Sequence, residues 1–193
     1  MQIEKLSIQE LQRRIALYDD ETAYKELFME MHVPLINFSR SFVQQKEVAE
    51  EIVSDILMTV WEKRKDLERI ENLRVYLYIS VRNHSLKYLV KQKKINSVQL
   101  EDLDVMLATS NLNPENLLIS KEMVQRVRAA IEQLPPKCKM VFQLSKEDGL
   151  KYKEIASILN ISVKTIDNQL AIALQKISKT LKLSLKKPDQ KKI

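Results

Sequence analysis

Between Val163 and Leu170 the chain reads VKTIDNQL, and four of these side chains suit the reading of a base edge. Asn168 and Gln169 each carry a donor beside an acceptor, the combination that adenine takes in the major groove. Thr165 offers a methyl for thymine, and Lys164 a cation for guanine or a phosphate. Lys153 adds a further cation just upstream. A second group falls between 72 and 91: Asn72, Arg74, Tyr76, Tyr78, Arg82, Asn83, Lys87 and Tyr88. Cations interleaved with rings and amides suit an unpaired strand, because cations follow the backbone while rings stack on bases. The same composition also describes a helix with tyrosines in its core and a solvated basic face.

Catalytic chemistry finds little material. The chain has two histidines, His32 and His84, and one cysteine, Cys138. A metal site or a triad built on histidine is therefore not expected. There is no nucleophile–base pair and no glycine-rich phosphate loop, since Gly149 is the single glycine. We expect no catalytic residues, no metal ligands and no cofactor.

The elements that must position the first group can be read from periodicity. In YKEIASILN, Tyr152, Ile155, Ala156 and Leu159 recur at i, i+3, i+4 and i+7, one face of a helix. Asn160, Ile161 and Ser162 interrupt it, and Ser162 is a good N-cap for a second helix. That helix turns Val163, Ile166, Leu170, Leu174 and Ile177 inward and Lys164, Thr165, Asn168 and Gln169 outward. Helix, short turn and helix with a polar leading face is the arrangement that enters a major groove. Ordinary bundles also join amphipathic helices this way, so the surroundings decide.

The chain has 193 residues, a net charge of +6 and five prolines. Glycine scarcity argues against tight hairpins, and abundant Leu, Ile, Lys, Glu and Gln favour helix. The expected fold class is all-α, with two small helical domains joined by a flexible acidic linker. The positive charge suits a polyanionic partner. One cysteine allows no intrachain disulfide, and Cys138 reads as a small buried hydrophobe. No apolar run reaches membrane-spanning length, and MQIEKLSIQEL carries acids unlike a signal peptide. A cytoplasmic protein with no direct membrane insertion is expected.

In chain order, Ser7 and Glu10 form an S-x-x-E capping box that opens a helix to about Tyr18. A second helix turns Ala23, Leu27 and Met31 inward. Pro34 is expected to start a third segment with Leu35, Phe38 and Phe42 on one face. Next comes a helix from Lys46 to about Lys65, with Ala49, Ile52, Val53, Ile56 and Val60 inward and Trp61 as an anchor. Its outer face bears Glu50, Glu51, Ser54, Asp55 and Glu62. The early acids complement the helix dipole, and they could also dock a basic surface. A charged connection leads to Asn72, which can cap a helix from Leu73 to about Gln92. Residues 97–118 hold Glu101, Asp102, Asp104 and Glu115 without Lys or Arg, and Asn113-Pro114 breaks their weak period. Beyond them Val124, Val127, Ile131 and Leu134 form a stripe stopped by Pro135-Pro136. Cys138 to Glu147 forms a further helix, and Gly149 permits the turn into Tyr152. The expected domains are 1–95, a linker at 96–118, 119–182, and a basic tail at 183–193.

Two blocks in fixed order make the chain recognisable. VAEEIVSDILMTVWEKR with LRVYLYISVRNHSLKYL resembles region two of the extracytoplasmic-function (ECF) sigma factors, small members of the sigma-70 family. LPPKCKMVFQLSKEDGLKYKEIASILNISVKTIDNQLAIALQKI resembles their region four. The resemblance, over roughly 20–180, implies an RNA polymerase sigma factor that recognises promoters and assists melting. It implies that Glu50, Glu51, Ser54 and Asp55 dock on the β′ clamp of core RNA polymerase. It assigns Asn72, Arg74, Arg82, Asn83 and Lys87 to the −10 element, with one base flipped out and held by the connection. Lys153, Lys164, Thr165, Asn168 and Gln169 would serve the −35 element, and the apolar side of the second domain would grip the β flap. The linker would thread toward the RNA path. Core polymerase, promoter DNA and an anti-sigma factor are the implied partners. The chain departs from the pattern at Asp167, Gln169 and Ile172, where relatives often carry basic residues, and at Tyr76, where tryptophan is usual. Lys151, Lys153, Lys164, Lys176 and Lys179 are then the candidate phosphate contacts. A helix-turn-helix regulator that is not a polymerase subunit is the alternative. It would need a different N-terminal half, since residues 1–95 contain no glycine and no alternating strands.

Overall fold

The computed structural model describes residues 6–96 and 121–185, all but a few turn residues of them helical. The all-α expectation is borne out, with no strand among the described residues. The acidic segment at 97–118 and the chain beyond Leu185 lie outside the described residues. The chain divides into two compact units, one built on the N-terminal helices and one on the C-terminal helices.

The first unit comprises α1 (Ile8–Tyr18), α2 (Glu21–Val43), α3 (Lys46–Glu62), a 3-10 helix at Arg64–Arg69, and α4 (Leu73–Asn96). Ser7 caps α1, its hydroxyl accepting from the Glu10 N–H at 3.2 Å. Asp19 ends α1 in the left-handed conformation, and Asp20 caps α2 by accepting from the Ala23 N–H at 3.0 Å. The Asp20 carboxylate also receives the Arg14 guanidinium at 2.6 Å. The bond from the Ala23 amide, reinforced by Arg14, holds the Asp20 carboxyl below its ordinary value.

Pro34 does not start a new segment; it lies inside α2. A proline there forgoes one N–H and costs about 3 kcal/mol. The buried residues Ala23, Leu27, Met31, Leu35 and Phe38 run straight past it on one face. Burying each large one contributes about 1.5–3 kcal/mol, so the continuous stripe outweighs the local breaker. α2 is the centre of the unit and packs on α1, α3 and α4. Phe38 meets Tyr78 edge-on at 5.1 Å, and Ser39 bonds to Ser85 at 3.0 Å within the α2–α4 contact.

α3 ends at Glu62 rather than near Lys65, and the residues expected to be a plain connection form the 3-10 helix. Trp61 is half-buried rather than a core anchor. Its ring stands 5.0 Å from Tyr24 and lies beneath the Arg64 guanidinium at 4.6 Å. Arg64 also pairs with Asp19 and donates to the Trp61 carbonyl at 3.0 Å. The tightest tie is buried Gln12, whose Nε2 donates to the carbonyls of Leu67 and Ile70 at 2.7 Å each. One carboxamide thus fastens the 3-10 helix and the residue just beyond it to α1.

The second unit comprises α5 (Lys121–Glu132), α6 (Pro136–Lys146), α7 (Tyr152–Leu159) and α8 (Val163–Leu185). Its core gathers Ala130, Leu134, Cys138, Ala173 and Ile177, with Ile131, Phe142 and Leu181 against them. Val124, expected inward, is exposed. Gly149 takes φ +66 in the turn after α6, where the Leu150 N–H reaches back to the Leu144 carbonyl at 2.9 Å. Any other L-residue would be strained there. Among the described residues no helix is long and apolar enough to cross a membrane.

Two outcomes test these contacts. Gln12→Met removes both donations, leaving the Leu67 carbonyl with the Ile70 N–H alone, and should lower the unfolding free energy by about 1–2 kcal/mol in denaturant melts; an unchanged midpoint contradicts the clamp. Asp20 has a lowered carboxyl, so its charge stabilises the fold above the ordinary value of 3.8 and the benefit fades as pH falls through the folded value. Asp20→Asn keeps the cap acceptor and should melt earlier than the parent at neutral pH. That gap should narrow on acidification below 3.8, and a gap constant with pH contradicts the assignment.

Candidate nucleic-acid interface

The turn between α7 and α8 is built from its own backbone bonds. Asn160 adopts φ 56 and ψ 48, and the Ile161 N–H reaches the Ala156 carbonyl at 3.1 Å. Asparagine tolerates this left-handed geometry better than most residues. Ser162 then caps α8, its Oγ accepting from the Thr165 N–H at 3.0 Å. At the start of α7, the Glu154 carboxylate accepts from the Lys151 N–H at 2.8 Å.

Which face α8 presents depends on what it buries, and here the structure amends the sequence reading. Ile166, Leu170, Ala173 and Ile177 are buried. Leu174, expected inward, is 50% exposed, and Val163 is also exposed. In α7 the buried residues are Ile155 and Ile158, while Tyr152 is exposed. Leu170 has apolar residues at both i+3 and i+4, and the spacing alone does not choose between them. Packing against α5 and α6 selects Ala173, whose small side chain admits close approach.

That rotation leaves Lys164, Asp167 and Asn168 exposed, with Lys153 exposed on α7. Thr165 is half-buried, and its hydroxyl is already paired with Ser162 at 2.8 Å. Gln169, expected to point outward, is half-buried, with its Oε1 accepting from the Cys138 thiol at 2.9 Å. The signal was present: Gln169 lies three residues after Ile166 and four before Ala173, on the shoulder of the buried stripe. Burial pushes the Cys138 thiol above its ordinary value, and the Lys176 charge only partly offsets this.

In the first unit, α4 buries Leu73, Leu77, Tyr78, Val81 and Ser85. Tyr78 is thereby removed from the ring-bearing face. The opposite side carries exposed Tyr76, Asn83, His84, Lys87 and Lys91 at helical spacing. Arg74 is half-buried. Arg82 is half-buried and donates to the Asn83 Oδ1 at 2.9 Å, so these two side chains act as one unit. Asn72 caps α4, its Oδ1 accepting from the Val75 N–H at 3.1 Å. Tyr88 is half-buried, its hydroxyl accepting from Gln92 at 2.9 Å. Beside the connection lies a groove of about 510 Å³ lined by Gln9, Gln12, Arg13, Glu68, Ile70 and Glu71, among others.

α3 turns a third surface outward. Glu51, Ser54, Asp55 and Met58 are exposed at i, i+3, i+4 and i+7. Glu50 is half-buried and pairs with Lys46 at 3.2 Å. Among the described residues no group of three or more His, Cys, Asp and Glu is gathered to hold a metal ion.

Comparison with known proteins accounts for both units. The family model for sigma-70 region 2 matches residues 27–95, and that for sigma-70 region 4 matches 124–177. Together they take in well over half of the chain. The ECF RNA polymerase sigma-E factor of Escherichia coli K12 is 26% identical over 181 residues, covering 90% of this chain and 94% of that protein. The RNA polymerase sigma factor CnrH of Cupriavidus metallidurans is 23% identical over 168 residues, covering 84% and 88%. Among solved structures, the sigma factor RpoE of Bartonella quintana, in complex with the anti-sigma factor NepR, aligns with a TM-score of 0.55 and 21% identity. That alignment covers 82% of this chain and 96% of that one. CnrH in complex with the cytosolic domain of CnrY aligns at 0.54 with 18% identity, over 91% and 97%. These last two likenesses speak to the fold alone. The two matched regions, in order on one helical chain, place the protein in the sigma-70 family, in its ECF class: it is an RNA polymerase sigma factor, acting with core polymerase and promoter DNA in transcription initiation.

Proposed function

We propose a division of labour among the three outward faces. The α3 face, Glu50, Glu51, Ser54 and Asp55, docks on the β′ clamp. The connection and α4 take the −10 element as an unpaired strand, with Asn72, Arg74, Arg82, Asn83 and Lys87 in contact. Tyr76 rather than Tyr78 is the ring available for stacking. The α8 face takes the −35 element through Lys164, Thr165, Asn168 and Gln169, with Lys153 on phosphate, and the apolar side of that unit meets the β flap. The observation that carries this reading is the rotation of α8, which buries Ile166, Leu170 and Ala173 and leaves Lys164 and Asn168 exposed.

The groove beside the connection is the proposed receptor for a base turned out of the stack. Unstacking costs a few kcal/mol, which a receptor must offset. Glu68 and Glu71 at its edge suit a base with an exocyclic amine, because a carboxylate accepts from such a group. The domains run as 1–95, 96–118, 119–182 and 183–193. The protein works in the cytoplasm without catalytic activity of its own. An anti-sigma partner is also proposed, because the solved neighbour RpoE was captured with the anti-sigma factor NepR.

Replacing Asn168 and Gln169 together by alanine should lower promoter-directed transcription at least about ten-fold, the scale of one lost base contact. Binding to core polymerase should stay within experimental error of the parent. Equal loss of both activities contradicts the division. Conversely, Glu51→Lys with Asp55→Lys should weaken association with core polymerase while leaving −35 duplex binding unchanged. A gel-shift and a core pull-down on the same preparations separate the two, and unchanged core association rejects the α3 assignment.

A further inference from the structure

Cys138, at the start of α6, is a buried side chain of the second unit whose polar atom reaches a half-buried residue on the shoulder of the α8 stripe. Its Sγ lies 2.9 Å from the Gln169 Oε1. The thiol is otherwise part of the core with Ala130, Leu134, Ala173 and Ile177. Burial favours the neutral thiol, so the sulfur carries a proton to donate. A carboxamide whose oxygen is engaged inward has its NH₂ left for an outside partner.

We propose that Cys138 is a positioning residue for promoter specificity: by holding the Gln169 oxygen, it presents Gln169 to DNA as a donor alone. This rests on the reading of α8 as the −35 helix. The consequence is chemical. A glutamine with both atoms available takes adenine bidentately, giving and receiving one bond each. A glutamine whose oxygen is turned inward offers DNA its NH₂, so it gains most from guanine, which shows two neighbouring acceptors at O6 and N7, whereas adenine keeps one bond at N7 and loses the second. Gln169 therefore prefers guanine to adenine at its position, contrary to what its residue type suggests.

The test uses the full chain with core polymerase and a promoter library randomised through the −35 element, with transcripts sequenced. Gln169→Ala identifies the position that Gln169 reads. At that position the parent should favour guanine, and Cys138→Ser, which keeps a donor, should do the same. Cys138→Val, which removes the donor, frees the amide to turn, and adenine should rise on the order of ten-fold relative to the parent. Other positions should not change, and Cys138→Ala gives the same result should valine strain the core. Melting temperatures are read alongside, because a purely structural role would lower stability without altering preference at one position. If Gln169→Ala changes one position and neither Cys138→Val nor Cys138→Ala affects it, the inference fails while the −35 reading stands. If neither Gln169→Ala nor Lys164→Ala changes any position, the −35 reading fails and takes this inference with it.

Discussion

The second unit depends on a spacing of four, three and four between Ile166, Leu170, Ala173 and Ile177, all buried. Each large member contributes about 1.5–3 kcal/mol on burial, whereas a cap such as Ser162 contributes about 1 kcal/mol. The stripe therefore sets the rotation of α8, and the cap sets only where the helix begins. Once the rotation is fixed, the opposite side chains have no choice of direction. Lys164 and Asn168 face out for the same reason that Leu170 faces in. The groove-suited face is a by-product of core packing, and a one-residue shift of the stripe would turn it away.

The first unit solves a related problem with more irregular material. α4 is oriented by Leu77, Tyr78, Val81 and Ser85 against α2, which leaves Tyr76, Asn83 and Lys87 outward. The segment leading into it is short and charged and buries little beyond Leu67. Hydrogen bonds hold it instead. Gln12 takes the Leu67 and Ile70 carbonyls, Arg64 pairs with Asp19, and Asn72 caps α4. A segment proposed to receive an extruded base benefits from being fixed in advance, since order established in the free protein is not lost on binding. α1, which the sequence offered only as another amphipathic helix, is thus the brace of the connection.

Much of this was legible in the sequence. The Ser7, Asn72 and Ser162 starts rest on local capping chemistry, and α1, α4 and α8 begin where that chemistry places them. What failed were judgements in which a local rule met a long-range one. Pro34 reads as a breaker until the stripe on both sides of it is buried together. Leu174 and Ala173 are equally good partners for Leu170 until α5 and α6 decide. Tyr78 looks like Tyr76 in the sequence, and only the position of Phe38 separates a core ring from an exposed one. The Gln12 clamp joins residues 55 and 58 positions apart, and nothing near Gln12 announces it. Gln169 is the intermediate case, since its place on the shoulder of the stripe was readable but its bond to Cys138 was not.

Two helical modules on one chain supply the promoter choice that core polymerase lacks. The direct measurement is to add the purified protein to core polymerase on a genomic DNA library and map the 5′ ends of the transcripts. A small set of defined start sites is expected, each preceded by a common pair of sequence elements at fixed separation. Start sites indistinguishable from those of core polymerase alone would contradict it.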